Sequence, residues 1–442
     1  MKYRFFIIIG YLTMSASAFA WSFEGTELSL SDALKKADEQ NFDLRLMDTE
    51  VEVSRADLNR TYSLFLPQIT LSETYVATND PLNVFGIKLK QEVVSANDFN
   101  PLLLNDPKTI NNFTTKIEVQ QPLINLDGLL GRGAASAGLK ANQERRKRTI
   151  EYIHFQVKKS YFELLLAQAS LKVIDQSLKA VKSYRDQAKN YYDQGLIHRS
   201  DLLMAEVQLL DVESKKIEAG NLLKDATERL LFLMGIREPL DITPSDTLSL
   251  PSSETTKLNI STATENRSDI RAMRYGIAAM EKMHAMNLYK LAPTINAFGS
   301  YEMNENKLFG SKGKNWMAGV MLKWEIFKGW DNFGAIQKSS AQLRNAKINY
   351  DKTLQNNRTE TAAAMRKLVV MQKKTELSKE SVQQAGESLR IVSDRYAKGL
   401  EKTSDLLMAE ATLSNARLNH LQALFGYNVS IFFLDFLLEG EN

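Results

Sequence analysis

The spacing of apolar residues changes several times along the chain, and each change marks a new element. From Leu28 to Ser63 apolar residues recur every three or four positions, which predicts one helix that ends before Pro67. Apolar and polar residues then alternate over 69–75 and over 113–120, which predicts two strands with unlike faces. Residues 79–112 contain Asn-Asp-Pro and Asn-Pro turn signals, so the sequence predicts a loop between the two strands.

A long helical hairpin follows each pair of strands. A heptad of apolar residues predicts a coiled-coil helix from Leu130 to Asp193, which would be about 95 Å long at ~1.5 Å per residue. Gly195 would end it, and Ser200-Asp201 can cap a return helix. The second hairpin, 332–398 and 404–438, has a more polar seam. Either this pair faces water on more sides, or the repeat has diverged on a solvated face.

The chain is an internal duplication. Ser200–Glu206 is identical to Ser404–Glu410, 204 residues later, and Asp43-Leu44-Arg45 corresponds to Asp269-Ile270-Arg271 at an offset of 226. Seven identical residues at a fixed distance indicate repeated units. We assign residues 21–235 to the first repeat, 236–265 to a linker rich in Pro, Ser and Thr, and 266–442 to the second repeat. The change of offset places 22 additional residues in the first repeat, between its two strands.

Composition narrows the cellular compartment. Residues 1–20 combine Lys2 and Arg4, an apolar run and Ala18-Phe19-Ala20, which predicts a signal peptide that is cleaved after Ala20. Beyond it we expect no apolar run long enough for a spanning helix. The sequence has no cysteine, so we expect no disulfide and no lipid anchor at an N-terminal cysteine. Lys and Arg number 56 against 53 Asp and Glu, which gives no reason to propose a nucleic-acid partner.

The sequence offers little chemistry for an enzyme. The four histidines, at 154, 198, 284 and 420, lack the spacing of a zinc helix, and no Gly-x-Ser-x-Gly or Walker sequence occurs. The glycine-rich run 128–138 lacks the third glycine of a dinucleotide loop and favours close helix packing. We therefore expect no catalytic residue, no cofactor and no metal site.

The strands have the length for a membrane barrel. Four strands of about ten residues match the ~9–11 residues of a transmembrane β-strand. A closed barrel needs at least ~8 strands, so several chains would have to contribute strands to one barrel. The alternative is a soluble periplasmic coiled-coil adaptor or scaffold protein, whose strands would form an ordinary sandwich and whose hairpins would serve only for protein contacts.

The order of the elements and three motifs resemble the TolC family of outer-membrane efflux proteins. The motifs are Leu-Pro-Gln-Ile at 66–69, Gln-Pro-Leu at 121–123, and Gly-Leu-x3-Ser/Thr-Asp at both helical turns. The resemblance implies a mixed, mainly α fold that forms a homotrimer, with four strands per chain in a transmembrane β-barrel continued by a coiled-coil α-barrel. It also implies a passive outer-membrane duct that extends into the periplasm and receives substrates from an inner-membrane transporter through a periplasmic adaptor.

The resemblance also suggests functional residues at the periplasmic tip. The candidates for adaptor contact lie in the two turns and are Gly195, Leu196, Ser200, Gly399, Leu400 and Ser404. The candidates for the gate are Asp201, Tyr396 and Asp405, and Asp405 would form a ring that attracts cations. Asp201 and Asp405 are equally well placed as helix N-caps.

This sequence departs from the family at two gate positions. Glu401 occupies the position of an arginine and Met408 that of a second aspartate ring, so the closing network must differ. Arg199 or Lys402 could supply the cation instead. The exported substrate, the class of transporter and the role of 79–112 stay open at this stage.

Overall fold

The structure, a computed structural model, describes residues 27–238, 240–250 and 266–439. The predicted signal peptide and residues 239 and 251–265 of the predicted linker lie outside these residues. The chain divides into two compact units, each built from separate stretches of sequence. The helical unit comprises the described parts of Met1–Gln40, Gln156–Pro251 and Lys373–Val429. The sheet unit comprises those of Asn41–Phe155, Ser252–Gln372 and Ser430–Asn442.

The two repeats have the same order of principal elements: a helix, two strands and a long helical hairpin. In the first repeat these are β1 (Glu27–Leu28), α1 (Leu30–Gln40), α2 (Phe42–Arg60), β2 (Gln68–Thr78), α3 (Pro81–Lys90), α4 (Pro101–Asn105), β3 (Ile110–Ile124), α5 (Leu126–Asp193) and α6 (Arg199–Leu233). After β4 (Thr243–Pro244), the second repeat has α7 (Ser268–Tyr289), β5 (Thr294–Glu305), β6 (Gly313–Lys323), α8 (Asp331–Ala397) and α9 (Thr403–Leu438). Strands β1 and β4 form a short parallel pair in the helical unit.

The sheet unit contains an antiparallel sheet that joins the two repeats. Within the described residues its strand order is β2-β3-β5-β6, so the central pair takes one strand from each repeat. The register places Leu71, Ile117, Tyr301 and Trp316 in one row across all four strands. These residues share a face because side chains alternate between faces along a strand.

The opposite face of the sheet is mostly polar, although Val76, Phe298, Met317 and Met321 also lie on it. Lys116 lies opposite Glu302 in the register, and its Nζ is 2.8 Å from Glu118 and 4.0 Å from Glu302. Thr74 and Thr114 lie in the next row of this face. The predicted strands with two unlike faces are therefore confirmed, and the register shows that all four strands agree on which face is apolar.

The core of the helical unit follows the predicted heptad. Ile174, Val181 and Ala188 recur every seven residues along α5 and pack against Leu209 of α6 and Leu407 of α9. In the sheet unit the glycine-rich start of α5 packs closely, as predicted: a Cβ on Gly128 would lie 2.6 Å from Leu64. The more polar seam of the second hairpin does not face water, because Asn357, Thr361 and Thr375 are all buried. Thr361 satisfies its hydroxyl by donating to the Asn357 carbonyl of its own helix.

The prediction of one helix from 28 to 63 is wrong. The chain has two helices, α1 and α2, separated at Asn41. The side-chain oxygen of Asn41 accepts hydrogen bonds from the backbone N–H groups of Asp43 and Leu44 at 2.9 and 3.1 Å. An asparagine that bonds in this way starts a new helix.

The prediction of a loop at 79–112 is also wrong, because this insert contains α3 and α4, and β3 already begins at Ile110. Asp80 caps α3 by accepting from Asn83 N at 2.8 Å, and Asn100 caps α4 by accepting from Leu102 N at 3.1 Å. A proline follows each cap at the first helical position, which suits a residue without an N–H group. Asp80-Pro81 and Asn100-Pro101 are therefore helix starts rather than turns, whereas Asp106-Pro107 follows the end of α4.

The expectation that no helix is apolar enough to cross a membrane is corrected as well. Among the described residues, α9 passes that test by length and composition. Its last four turns are almost free of charge, and the sequence expectation overlooked this stretch. Leu434, Leu437 and Leu438 are buried within the protein, so part of this apolar stretch packs within the chain itself.

Candidate functional site

The two helical turns of the helical unit have the same backbone geometry. Gly195 and Gly399 end α5 and α8 with φ of +73° and +74°. In the first turn Leu196 N donates to Tyr191 O at 2.8 Å, and in the second Leu400 N donates to Arg395 O at 3.0 Å. This is the Schellman arrangement, for which glycine is favoured because it reaches positive φ without strain. The repeated sequence thus produces a repeated turn.

Both turns present small and apolar residues to solvent. Leu196 and Leu400 are exposed, and nothing lies within 4 Å of a Cβ placed on Gly195 or Gly399. Ser200 is exposed as well, and Ser404 is half-buried. Isolated exposed leucines are common on proteins, but here they stand at matching positions of two turns.

The two aspartates of the repeated motif behave differently. Asp201 is the third residue of α6, and its carboxylate accepts from His198 N at 3.3 Å in a capping box. The N-cap is therefore His198, and the prediction that Asp201 takes that position is wrong by three residues. Asp405 is exposed, and its carboxylate accepts from the Ser404 hydroxyl at 3.3 Å.

Tyr396 is the most deeply buried residue of the candidate gate, with 3% of its surface exposed. Its hydroxyl lies 3.1 Å from Thr403 Oγ1, and its ring centre is 5.8 Å from that of Tyr191 on α5. Burial raises the pKa of Tyr396, and the negative charge of Asp201 adds to this, while the Thr403 bond opposes it. Tyr396 therefore connects both ends of the α8–α9 turn to α5, with Asp201 close enough to act on it electrostatically.

The charged partner of Glu401 was not found from the sequence. Arg395 Nε donates to Glu401 Oε2 at 2.8 Å across the α8–α9 turn. Arg199 and Lys402, the cations suggested by the sequence, are both exposed. The sequence did contain a signal for this pair. Gly399 reverses the chain, so residues on either side of it come to lie opposite each other.

A second missed residue is Glu410, which closes the repeated heptapeptide. It is 5% exposed, whereas its counterpart Glu206 is only half-buried. Burial raises the pKa of Glu410, opposed by a hydrogen bond with Ser177 and by the charge of Arg417. A buried carboxylate at a helix contact is costly when ionised, so Glu410 is a candidate for pH sensitivity in the helical unit.

Comparison with known proteins identifies the family. The model of the family described as "Outer membrane efflux protein" matches residues 33–236 and 259–427. The chain belongs to this family. A search of curated protein sequences finds no match.

This outer membrane efflux protein shares the chain fold of solved TolC-like channels, proteins that have a β-barrel and an α-barrel. CusC superposes with a TM-score of 0.79 at 18% identity, covering 92% of this chain and 91% of that one. The CmeC outer membrane channel of Campylobacter jejuni gives 0.78 at 16% identity, covering 92% and 85%. The open state of the MtrE outer membrane channel of Neisseria gonorrhoeae gives 0.78 at 18% identity, covering 95% and 93%.

The family and the fold favour an outer-membrane efflux channel over the soluble adaptor or scaffold. Among the described residues of this efflux protein, no group of three or more His, Asp or Glu could hold a metal ion.

Proposed function

We propose that three copies of this chain form a passive duct through the outer membrane. An inner-membrane transporter and a periplasmic adaptor pass substrates to the duct, which conducts them to the cell exterior. The observation that carries the proposal is the sheet register, because an apolar face on all four strands suits lipid and the polar face opposite suits a water-filled lumen. The chain reaches this place by its signal peptide and without a lipid anchor.

The need for several copies follows from the sheet edges. In the described part of the chain, β2 and β6 each pair on one side only. An unpaired edge is not tolerated in the hydrocarbon core, since its backbone groups would lack partners. Pairing β6 of one copy with β2 of the next closes a barrel, and three copies supply twelve strands.

The helical unit offers a second surface for the same assembly. Along α6, Leu203, Val207, Leu210 and Ile217 follow a heptad and are all exposed in the single chain. On α8, Leu377 and Ile391 are exposed two heptads apart. A ring in which α6 of one copy packs against α8 of the next would bury both apolar stripes.

The two turns are proposed as the contact with the adaptor. Leu196 and Leu400 would insert between apolar side chains of the adaptor, and Gly195 and Gly399 leave room for its backbone to approach. Ser200 and Ser404 are the second residues of the return helices α6 and α9. In the gate, Tyr396 holds the α8–α9 turn against α5. The negative charge of Asp201 raises the pKa of Tyr396 and so favours its neutral form. Asp405 forms a ring of carboxylates near the axis.

The test is the mass of the full chain extracted in detergent from the outer-membrane fraction, corrected for bound detergent. We expect three chains per particle. An Ile217→Lys variant should reduce the mass to one chain, because a charge would be buried without a partner at each contact. Glu218→Lys, which changes an exposed neighbour, should leave the trimer intact. A monomeric wild-type protein, or one found only in the soluble fraction, would favour the soluble scaffold instead.

A further inference from the structure

The insert between β2 and β3 is a folded element rather than a loose connection. Val84 of α3 is buried, and the rings of Phe85 and Phe99 meet edge to face at 5.6 Å. Lys88 Nζ donates to Asp98 Oδ1 at 2.6 Å, and this bond holds the pKa of Asp98 down at about 2. The insert therefore keeps a defined shape at neutral pH.

The insert is fixed to the polar face of the sheet. Lys90 Nζ lies 3.4 Å from Glu302 Oε2 on β5. Gln91 Nε2 donates to Asn112 Oδ1 at 2.8 Å and to the carbonyl of Asn111 at 2.9 Å. Asn112 in turn donates to Asn304 Oδ1 at 2.9 Å. By the strand register, Asn112, Glu302 and Asn304 all belong to the polar face.

Gly313 on β6 shows how closely the insert lies on the sheet. Gly313 pairs with Asn304 in the register and is buried. A Cβ at this position would overlap the backbone oxygen of Lys90. The end of α3 therefore rests directly on the strand backbone, and a side chain at 313 is incompatible with this contact.

We propose that the insert narrows the outer mouth of the duct and limits the size of molecules that pass it. The inference rests on the proposed function, in which the polar face lines the lumen because lipid excludes it. The long helices connect to one end of the strands, and the insert connects β2 and β3 at the opposite end. The insert thus covers the lumen at the end remote from the helices.

The dimensions are compatible with this role. Twelve strands spaced ~4.8 Å apart and tilted by ~40° close a barrel with a backbone diameter of about 24 Å. An α-helix with its side chains is ~10–12 Å across. Three copies of α3 held against the inner wall would therefore occupy most of the opening.

The absence of cysteine in the sequence permits a direct test in intact cells. Ser72→Cys places a thiol on the polar face of β2, and Ser311→Cys places one in the exposed β5–β6 turn. Each full-length variant is treated from outside with a small charged maleimide and with the same group on a bulky polymer. We expect the bulky reagent to label position 311 readily and position 72 slowly, while the small reagent labels both.

Releasing the insert should open the mouth. Gly313→Val in the Ser72→Cys background should raise the labelling rate by the bulky reagent at least about tenfold, since the added side chain overlaps the backbone oxygen of Lys90 and must displace the end of α3 from the strand. Gln91→Ala removes two of these bonds without new bulk and should act in the same direction. Gly299→Ala is the matched control, because its Cβ would have only ordinary contacts on the opposite face.

The outcomes separate the two proposals. Bulky labelling at position 72 that equals position 311 in the parent protein, or that is unchanged by both Gly313→Val and Gln91→Ala, overturns the narrowing by the insert. Failure of both reagents at position 72 in every background, with normal labelling at 311, means that the polar face does not line a lumen. That result would overturn the barrel itself and the present inference with it.

Discussion

Removal of one hydroxyl group should loosen the closed gate. In Tyr396→Phe the ring and its contact with Tyr191 remain, but the bond to Thr403 Oγ1 is lost. Both side chains are buried, so the Thr403 hydroxyl would be left without this partner away from water. Loss of one partner of a buried hydrogen bond costs about 1–2 kcal/mol.

In the proposed trimer this free-energy cost is multiplied. If the bond is present in all copies of the closed gate and broken in the open gate, three equal losses add up to about 3–6 kcal/mol. At ~1.4 kcal/mol per tenfold change, the ratio of closed to open channels would fall by roughly two to four orders of magnitude. A wild-type channel that is almost always closed would then conduct for a measurable share of the time.

The assay is the time-averaged current of purified trimers in a planar lipid bilayer. The internal duplication supplies a matched control, because Tyr192 occupies the corresponding position of the α5–α6 turn and is exposed. We expect the open fraction of the channel to be higher in Tyr396→Phe than in the wild type, and to be unchanged in Tyr192→Phe. Equal currents for the two variants, in trimers of unchanged mass, would refute the assignment of Tyr396 to the gate.

Two further predictions concern charge. Asp405→Asn should abolish the channel's cation preference and its block by divalent ions, because the carboxylate ring near the axis is neutralised. The control variant Asp201→Asn should retain both properties. Unchanged ion selectivity in Asp405→Asn would contradict the carboxylate ring. Glu410→Gln should raise the thermal midpoint at neutral pH. The pKa of Glu410 is raised in the folded protein, so its favourable contribution is present at low pH and is lost as the pH rises through the folded pKa. The increase in thermal midpoint caused by Glu410→Gln should therefore become smaller as the pH is lowered. Glu206→Gln should give a smaller increase. An increase that does not depend on pH would rule out titration of Glu410 as its cause.

The hairpins and strands could be predicted because their signals are local. Ile174, Val181 and Ala188 face one core since a helix returns to the same side every seven residues. Gly195 and Gly399 end their helices because the turn needs positive φ. In each case the residues that carry the signal also form the structure.

The insert could not be predicted in the same way. Asp80-Pro81 and Asn100-Pro101 fit a turn and a capped helix equally well, and only the residues that follow decide between them. The docking of Gln91 depends on Asn112 and Asn304, and Asn304 is more than 200 residues away along the chain. Short polar residues of this kind have no period that marks a shared site.

The repeated heptapeptide explains why the surroundings of the proposed gate residues could be predicted only in part from the sequence. Leu203 is exposed and Leu407 is buried, although both occupy the same place in Ser-Asp-Leu-Leu-Met-Ala-Glu. Their neighbours cause the difference, because Leu407 packs against α5 and α6 of its own chain while Leu203 is exposed in the single chain. A buried Glu410 and the Tyr396–Thr403 bond therefore occur in one turn only. Three copies would bring six turns to the periplasmic end, and we expect the three that contain Tyr396 to move during opening while the three α5–α6 turns, in which His198 is the N-cap of α6, stay fixed.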